Sequence, residues 1–513
     1  MKNAKFTKTL QTAGAAAAIV ATTCASGGEA ALRETTPAAV PPAVRELTVD
    51  QCLSEAVRNN HRRPASQFAV AMAEAQHRQA LAGYWPQISG KAGYQHMDES
   101  PDFLFPASSF SVPAQTLTLP NGGTIPVTFP TPGGGSVTVP VNAIPVPAQN
   151  INVPAQDIKL MDPDTFAASL NLTWLLYDGG MRKGYRESSQ GLVDMMKQDA
   201  RRTDLEIADS VKRLYYGSVL ATQLHQVGQD TLARMEATLN LTETMYKEGS
   251  GKVKKTDFLD NKVMVETLRA MVALLEKNEV MAQAALANIM GLSWNTAIKP
   301  ADKELPYAPY AENLETLVGT AYQFSPDWAK VEAGIRAAEG AVRTEQSGYY
   351  PKVAVTGELH KWWNDYDAGV ATDRNKEGWS VGMGIEIPIF SGFLTKNRVA
   401  EARARTGKIK EEQFLLKEGI GLQIKDVFLG LNAAQKAHQA TLDAMTAASE
   451  NRDLNTRAYQ NELVETEKVI RAQLMEALMS AQHYKTRYDH LALQSQMTLL
   501  VGTEVLKHLQ HSQ

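Results

Sequence analysis

Two cysteines, Cys24 and Cys52, are all that this 513-residue chain contains, which excludes a disulfide framework. An excess of one charge is missing as well. The 52 Lys and Arg against 56 Asp and Glu leave a net charge of −4, so the basic footprint of a nucleic-acid binder is absent. Lys252-Val253-Lys254-Lys255 is the only basic run, and the expectation for it is a solvated tip. Beyond the N-terminus no apolar run is long enough to cross a bilayer as a helix. Signs of catalysis are equally scarce. The ten histidines are scattered, with no HExxH and no Cys/His cluster, and His508 with His511 is only a weak metal pair. Gly249-Ser250-Gly251-Lys252 fails as a phosphate loop, because Val253 follows the lysine and Tyr246 stands five residues before Gly251. Gly382-x-Gly384 falls inside a strand pattern rather than at a strand-to-helix turn, and Glu411-Glu412 belongs to a polar helix face. The expectation is no enzyme, no cofactor and no resident metal.

What is present begins with a targeting segment. Lys2, Lys5 and Lys8 precede an apolar core from Ala13 to Ala21, which is the form of a signal peptide over 1–25, followed by a Pro/Ala-rich linker over 26–46. Acylation of Cys24 is the alternative, against which Ala21-Thr22-Thr23 argues. Thr48 with Gln51 has the spacing of a capping box and starts a helix expected to run towards His61, break near Pro64 and resume over 65–83. Four segments then alternate with period two: about 86–97, 165–177, 352–363 and 378–390. Each has the length of a tilted membrane strand, but a sheet covering a soluble core alternates in the same way. Between the first two lies a Pro-, Gly- and Thr-rich segment, 97–161, expected to be an exposed loop made partly of short hairpins and partly disordered.

The strongest internal signal is a repeat. Shifting by 213 brings Tyr177 onto Phe390, Gly179 onto Gly392, His225 onto His438 and Tyr246 onto Tyr459. The junction Gly83-Tyr84-Trp85-Pro86 answers Gly348-Tyr349-Tyr350-Pro351 at a shift of 265, and the difference of 52 is an insertion between the first two strands. The units are a first repeat over 47–292 with a helical hairpin over 181–290, a link over 293–312, a second repeat over 313–502 with its hairpin over 393–500, and a tail over 503–513. At about 1.5 Å per residue, a helix over 181–246 is roughly 100 Å long. Within it Ile207, Val211, Leu214, Ser218, Ala221, His225, Gly228, Leu232, Met235 and Leu239 recur at alternating spacings of four and three, a coiled-coil-like stripe rich in small residues. His225 and His438 fall on the seam, where packing is the expected role. The turns Gly179-Gly180 and Ser391-Gly392 join strand to helix in both repeats.

Four membrane-length strands cannot close a barrel, and an open edge is forbidden in lipid. If they lie in a membrane, several chains share one barrel and their long helices form a tube below it.

The carrying motifs are Leu47-Thr48-Val49-Asp50, the two Gly-Tyr-Trp/Tyr-Pro junctions, Leu172-Thr173-Trp174-Leu175-Leu176-Tyr177-Asp178-Gly179-Gly180 and Ile385-Glu386-Ile387-Pro388-Ile389-Phe390-Ser391-Gly392. With them the chain resembles the TolC family of outer-membrane efflux and secretion channels from Leu47 to Gly502. The resemblance implies a mainly α fold with a membrane β-barrel portion: two tandem repeats of strand hairpin and long antiparallel coiled-coil helices, trimerised into a twelve-stranded barrel on an α-helical tunnel. It implies a homotrimer in the outer membrane of a Gram-negative bacterium, in contact with outer-membrane lipid, with its tunnel in the periplasm. It also implies partners: a periplasmic adaptor (membrane fusion protein) at the helix tips and an inner-membrane RND, ABC or MFS-type transporter. The adaptor-contact tips would be Gly249, Gly251, Lys252 and Glu462. Family members close their periplasmic aperture with a tyrosine, which Tyr459 matches, and with acidic residues, which here fall on Lys468 and Arg471. Asp257 keeps the acid in the first repeat. Glu465 and Glu467 lie close enough to pair with Lys468 or Arg471 of a neighbour, so a charge-paired constriction is expected. A periplasmic coiled-coil adaptor or scaffold is the rival reading, which two equal hairpins and four long strands disfavour.

Overall fold

The structure, a computed structural model, describes residues 44–99, 101–118, 123–130, 134, 136–160, 163–249, 253–363 and 376–502. The expected signal peptide and Cys24, most of the linker, the C-terminal tail with His508 and His511, and Gly251 and Lys252 at the first tip lie outside the described residues. Eight helices are described: α1 (Val49–Asn59), α2 (Arg62–Ala82), α3 (Met181–Lys247), α4 (Lys255–Ile289), α5 (Leu314–Phe324), α6 (Pro326–Gln346), α7 (Leu394–Gln460) and α8 (Thr466–Val501). Four long strands, β2 (Gln87–His96), β11 (Asp164–Tyr177), β13 (Lys352–Trp363) and β14 (Glu377–Glu386), make one antiparallel sheet in the order β14-β13-β11-β2.

The repeat is realised residue for residue. α3 and α7 each have 67 residues, and their ends differ by the same 213 positions. The heptad-like stripe on α3 faces inward: Ile207, Val211, Ser218, Gly228 and Met235 are buried. α2 packs on α3, α3 on α6 and α6 on α7, so the helices continue the strand order β2-β11-β13-β14 downwards. Below the middle, α4 and α8 take over on either side of α3, and α7 lies beyond α8. Among the described residues the chain is thus a wall one element thick outside its middle, with open edges at β2 and β14 and at α2/α4 and α7.

A belt marks the middle of the rod. β1 (Arg45–Leu47) pairs in parallel with β12 (Ile298–Pro300) of the inter-repeat link. Leu47, Cys52, Leu53 and Ala56 of the first segments join Ile207, Val211 and Tyr215 of α3 and Leu286 and Met290 in one buried core. Burial pushes the Cys52 thiol up to about 12, so this cysteine is an inert packing residue. A second core gathers Leu317 and Ala321 of α5 with Ile420, Ile424, Val427 and Leu431 of α7 and Met497 and Val501 of α8.

Three expectations need correction. The first helix pair breaks at Asn60 rather than at Pro64: Asn60 ends α1 in extended backbone, and its Oδ1 accepts the Arg62 N–H at 2.8 Å as the chain turns into α2. Pro64 then sits in the first turn, where its missing donor is no loss. The fourth strand stops at Glu386 instead of 390, since Pro388 has no N–H to offer the ladder.

The largest correction concerns 97–161, whose described strands pair across the segment rather than in separate short hairpins. β3 (Asp102–Phe105) pairs with β10 (Gln156–Lys159), β4 (Ser108–Val112) with β9 (Gln149–Val153), β5 (Gln115–Thr118) with β8 (Ala143–Val146), and β6 (Ile125–Pro130) with β7 (Ser136–Val141). Nested in this way they form one long two-stranded ribbon that prolongs β2 and β11. The prolines do forbid helix, but they stand either at the breaks between ladders, as Pro106, Pro113, Pro147 and Pro154 do, or within strands that are all edges of a two-stranded ribbon, as Pro126, Pro130, Pro140 and Pro145 do.

Candidate functional site: sheet face, strand turns and helix tips

Register decides what the sheet exposes. Gly90, Leu170, Leu359 and Trp379 line up across the four strands, as do Ile88, Leu172, Gly357 and Val381 in the next row on the same face. Tyr94, Phe166 and Trp363 close one end of that face, with the Phe166 and Trp363 rings 5.2 Å apart. The opposite face carries Lys91, Ser169, His360 and Gly378, then Ser89, Asn171, Glu358 and Ser380. One face is therefore apolar and ringed by aromatics and the other is polar, as in a barrel wall between lipid and water. Among the described residues nothing covers the apolar face: Trp379 is 74% exposed, and Val381, Met383 and Ile385 are also exposed. The sheet does not cap a core.

Both strand-to-helix turns use left-handed backbone. Gly179 (φ 64°) and Gly180 (φ 95°) are matched by Gly392 (φ 62°) and Phe393 (φ 64°), so the second repeat places a phenylalanine where the first has glycine. A Cβ on Gly179 would stand 2.9 Å from the Ser347 carbonyl oxygen, which explains that glycine on packing as well as φ. The first turn is also stapled. Buried Asp178 accepts the Gly180 and Arg182 backbone N–H groups at 3.0 and 2.9 Å. The Arg182 guanidinium donates to Asp178 at 2.7 Å and to the Leu175 and Leu176 carbonyls at 2.6 and 3.0 Å, and it lies over the Tyr84 ring. In the second repeat the equivalent pair is Ser391 and Thr395, whose hydroxyls are 3.3 Å apart.

At the far end, Tyr459 is only 5% exposed, and its hydroxyl lies 2.8 Å from Thr242 Oγ1 and 3.0 Å from Thr466 Oγ1. It ties the end of α7 to α3 and to the start of α8. Asn261 Nδ2 donates to the same Thr242 at 3.3 Å, and Gln473 Nε2 donates to Thr238 at 3.0 Å, so a polar seam runs up from the tip between apolar cores. Asp257 accepts the Lys254 backbone N–H at 3.0 Å and starts α4. Glu465 caps α8, with its carbonyl accepting the Lys468 N–H at 3.1 Å. Glu467 and Arg471 pair within one chain at 3.0 Å on side chains 76% and 75% exposed. Lys468 is exposed beside them. A cleft of about 200 Å³ draws Asp257, Tyr459, Glu462, Glu465 and Glu467 together with Lys254. Gly249 (φ 68°) and Glu462 (φ 59°) are 213 positions apart and hold the same left-handed place in the two tip turns. Sequence reasoning named both residues but missed this equivalence, because a glutamate gives no signal for left-handed backbone.

Higher on the rod lies a cluster that sequence reasoning split. In the first repeat His225 Nδ1 meets Glu279 at 2.6 Å, and Gln283 donates to that carboxylate at 3.2 Å. In the second repeat the equivalents are His438, His490 and Gln494, so an imidazole replaces the carboxylate. Tyr307 of the link stacks on His438 with centroids 3.6 Å apart and lies 5.0 Å from His490, and His438 lies 5.1 Å from His483. Burial first, then Arg487 and His490, lowers the affinity of His438 for a proton. Burial, then His438 and Arg487, does the same for His483. The unfolded chain therefore binds more protons than the folded one just below the ordinary histidine range. The stability these neutral rings provide is complete above about pH 6.5 and is lost as pH falls through their lowered values. Thermal unfolding at about pH 5.5 is expected to begin with release of the link around Tyr307, and His438→Gln is expected to flatten the dependence; hydrogen exchange over 303–310 reads both.

Comparison with known proteins agrees with this architecture. Residues 154–292 and 317–503, more than half of the chain, match the family described as outer membrane efflux protein. Protein CyaE of Bordetella pertussis is 25% identical over 280 residues, which cover 53% of this chain and 57% of that protein, less than two thirds of its length. Outer membrane efflux protein BepC of Brucella suis is 20% identical over 329 residues, covering 62% of this chain and 69% of BepC. The crystal structure of the outer membrane protein VceC from Vibrio cholerae superposes with a TM-score of 0.64 at 16% identity, over 88% of this chain and 96% of that one, a likeness of fold. With that family's model matched over more than half of its length, the chain belongs to the outer membrane efflux protein family.

Proposed function

We propose that three copies of this chain close a twelve-stranded barrel in the outer membrane above an α-helical periplasmic tunnel. The assembly is a passive exit duct for an efflux or type I secretion system. The observation that carries this reading is the four-stranded sheet with an uncovered apolar face and unpaired edges at β2 and β14. In lipid such edges must be closed by neighbours, and three times four strands give a barrel of ordinary size. Exposed Phe68, Met72 and Met271 on one flank of the rod and Phe414, Leu415 and Leu422 on the other extend the same two edges into the periplasm. A periplasmic adaptor would grip the tips near Gly249, Gly251, Lys252 and Glu462 and link the duct to an RND, ABC or MFS-type transporter, which supplies the energy. The rival, a soluble periplasmic scaffold, leaves the apolar face without a cover.

The aperture reading follows from the tip charges. The Glu467–Arg471 pair is solvent-exposed and worth under about 1 kcal/mol, so it exchanges readily for a pair with the next copy. Arg471 and Lys468 then hold the three tips together against the acidic cleft of Asp257, Glu465 and Glu467. Replacing Lys468 and Arg471 by Ala is expected to raise single-channel conductance in planar bilayers. An intact trimer with unchanged conductance would remove these residues from gating. A native mass of one chain in detergent, with no heat-modifiable band from outer membranes, would remove the duct itself.

A further inference from the structure

The ribbon that prolongs β2 and β11 carries a pattern of its own. Phe103-Leu104-Phe105-Pro106-Ala107 is followed seven residues later by Phe110-Ser111-Val112-Pro113-Ala114. On the returning arm, Ile144-Pro145-Val146-Pro147-Ala148 is followed after seven residues by Ile151-Asn152-Val153-Pro154-Ala155. The first three ladders obey the same period and a single register, with Asp102 facing Lys159, Ser108 facing Val153 and Gln115 facing Val146, while the fourth, with Ile125 facing Val141, is shifted from it. At that register Pro106 falls opposite Ala155 and Pro113 opposite Ala148, so both arms break together and resume together. From Phe103 to Gln156 there is no charged residue and no histidine. Phe103, Phe105, Phe110, Val112 and Ile151 are exposed.

Such a ribbon is not self-sufficient. Two strands without a covered face are marginal in water. Beyond Lys159 at its base, its outer edges carry four- and five-residue runs of backbone with no lysine, those of β4, β5 and β9 also free of proline, the arrangement that recruits another strand. We propose that the ribbons of neighbouring copies pair with one another edge to edge, forming a collar that continues the duct outward beyond the barrel rim. This rests on the trimeric-barrel reading above. A second copy is the fitting partner because only an identical ribbon has its pairable runs and proline breaks at the same seven-residue interval. Beyond Asp102, Asp157 and Lys159 at its base, the ribbon also has no charge among its described residues with which to select a different protein. In addition, its first arm prolongs β2, the edge that meets the next copy in the barrel.

Single Ser111→Cys chains treated in outer membranes with a short bismaleimide test the collar, and Ser89→Cys with Ser380→Cys across the β2–β14 joint reports on the barrel. Native Cys52 is buried and does not compete, and Cys24 is replaced by Ser in all chains. The expected result is a shift of most of the Ser111→Cys chain to a covalent dimer band, the limit for one thiol per chain, while the barrel pair with two thiols per chain gives dimer and trimer bands. Adding Ser109→Glu, which places like charges on adjoining ribbons, is expected to abolish the Ser111→Cys bands alone. Barrel cross-links with only monomer from Ser111→Cys would overturn the collar while leaving the duct intact, as would cross-linking of Ser111→Cys to a different protein. Failure of the barrel pair as well would instead overturn the trimer.

Discussion

Gly340→Leu is expected to prevent this chain from reaching a stable assembled form. α3 and α6 meet backbone to backbone along Gly184, Ser188 and Gly191 on one side and Ala333, Ala337 and Gly340 on the other. A Cβ on Gly340 would lie 2.5 Å from the Ser188 nitrogen and 2.9 Å from the Gly184 carbonyl oxygen, and one on Gly191 would lie 2.7 Å from the Ala337 Cβ. These are backbone atoms or Cβ atoms rigidly attached to backbone, so no side chain can swing away. The helices must separate, and the α3–α6 seam is where the first repeat is bound to the second just below the sheet. Overpacking of this kind costs about 3 kcal/mol or more, against about 1 kcal/mol for an ordinary substitution. The measurement is the yield of heat-modifiable oligomer from outer membranes. Gly319→Ala, where nothing lies within 4 Å, is the matched control and is expected to leave the yield unchanged.

Arg182→Ala is expected to have the next largest effect, at the junction of barrel and tunnel. Its guanidinium holds buried Asp178 and two carbonyls at the end of β11 and covers the Tyr84 ring. Truncation leaves a carboxylate that is 7% exposed without its cation, a loss of roughly 3 kcal/mol. The two released carbonyls add to it. Arg182→Lys should not rescue the turn, because an ammonium on a flexible stem cannot span a carboxylate and two carbonyls at once. Hydrogen exchange over 175–184 should rise in both variants. The second-repeat turn, where Ser391 and Thr395 stand in place of Asp178 and Arg182, should be unchanged, so a uniform rise over both turns would mean global loosening.

Much of the plan could be read from residue order, and particular elements show where that reading stopped. The equal length of α3 and α7 followed from Tyr177/Phe390 and Tyr246/Tyr459 at one spacing, because a helix without proline or breakers has no other way to fill the interval. The four strands followed from alternation. For 97–161 the sequence supports an exposed loop of short hairpins and disorder, since each proline, taken singly, is a breaker; only the facing arm shows that the described strands pair across the whole segment. Tyr459 was recognised as a tip residue, but its partners Thr242 and Thr466 come from helices that only folding brings together. The Arg182 staple gave no signal, its carbonyl partners being invisible in any sequence.

Period, breaker placement and repeat spacing are local, short-range properties, and they determined that this chain is two strand hairpins leading into two equal helical hairpins. Which face of the sheet is bare, how closely α3 approaches α6, and which groups meet Tyr459 and His438 depend on register and on contacts between residues hundreds of positions apart. One residue of slip in a strand exchanges its two faces, and one missing Cβ sets a helix distance. Those choices belong to tertiary packing, and they are what makes an edge-open wall out of an otherwise ordinary set of helices and strands.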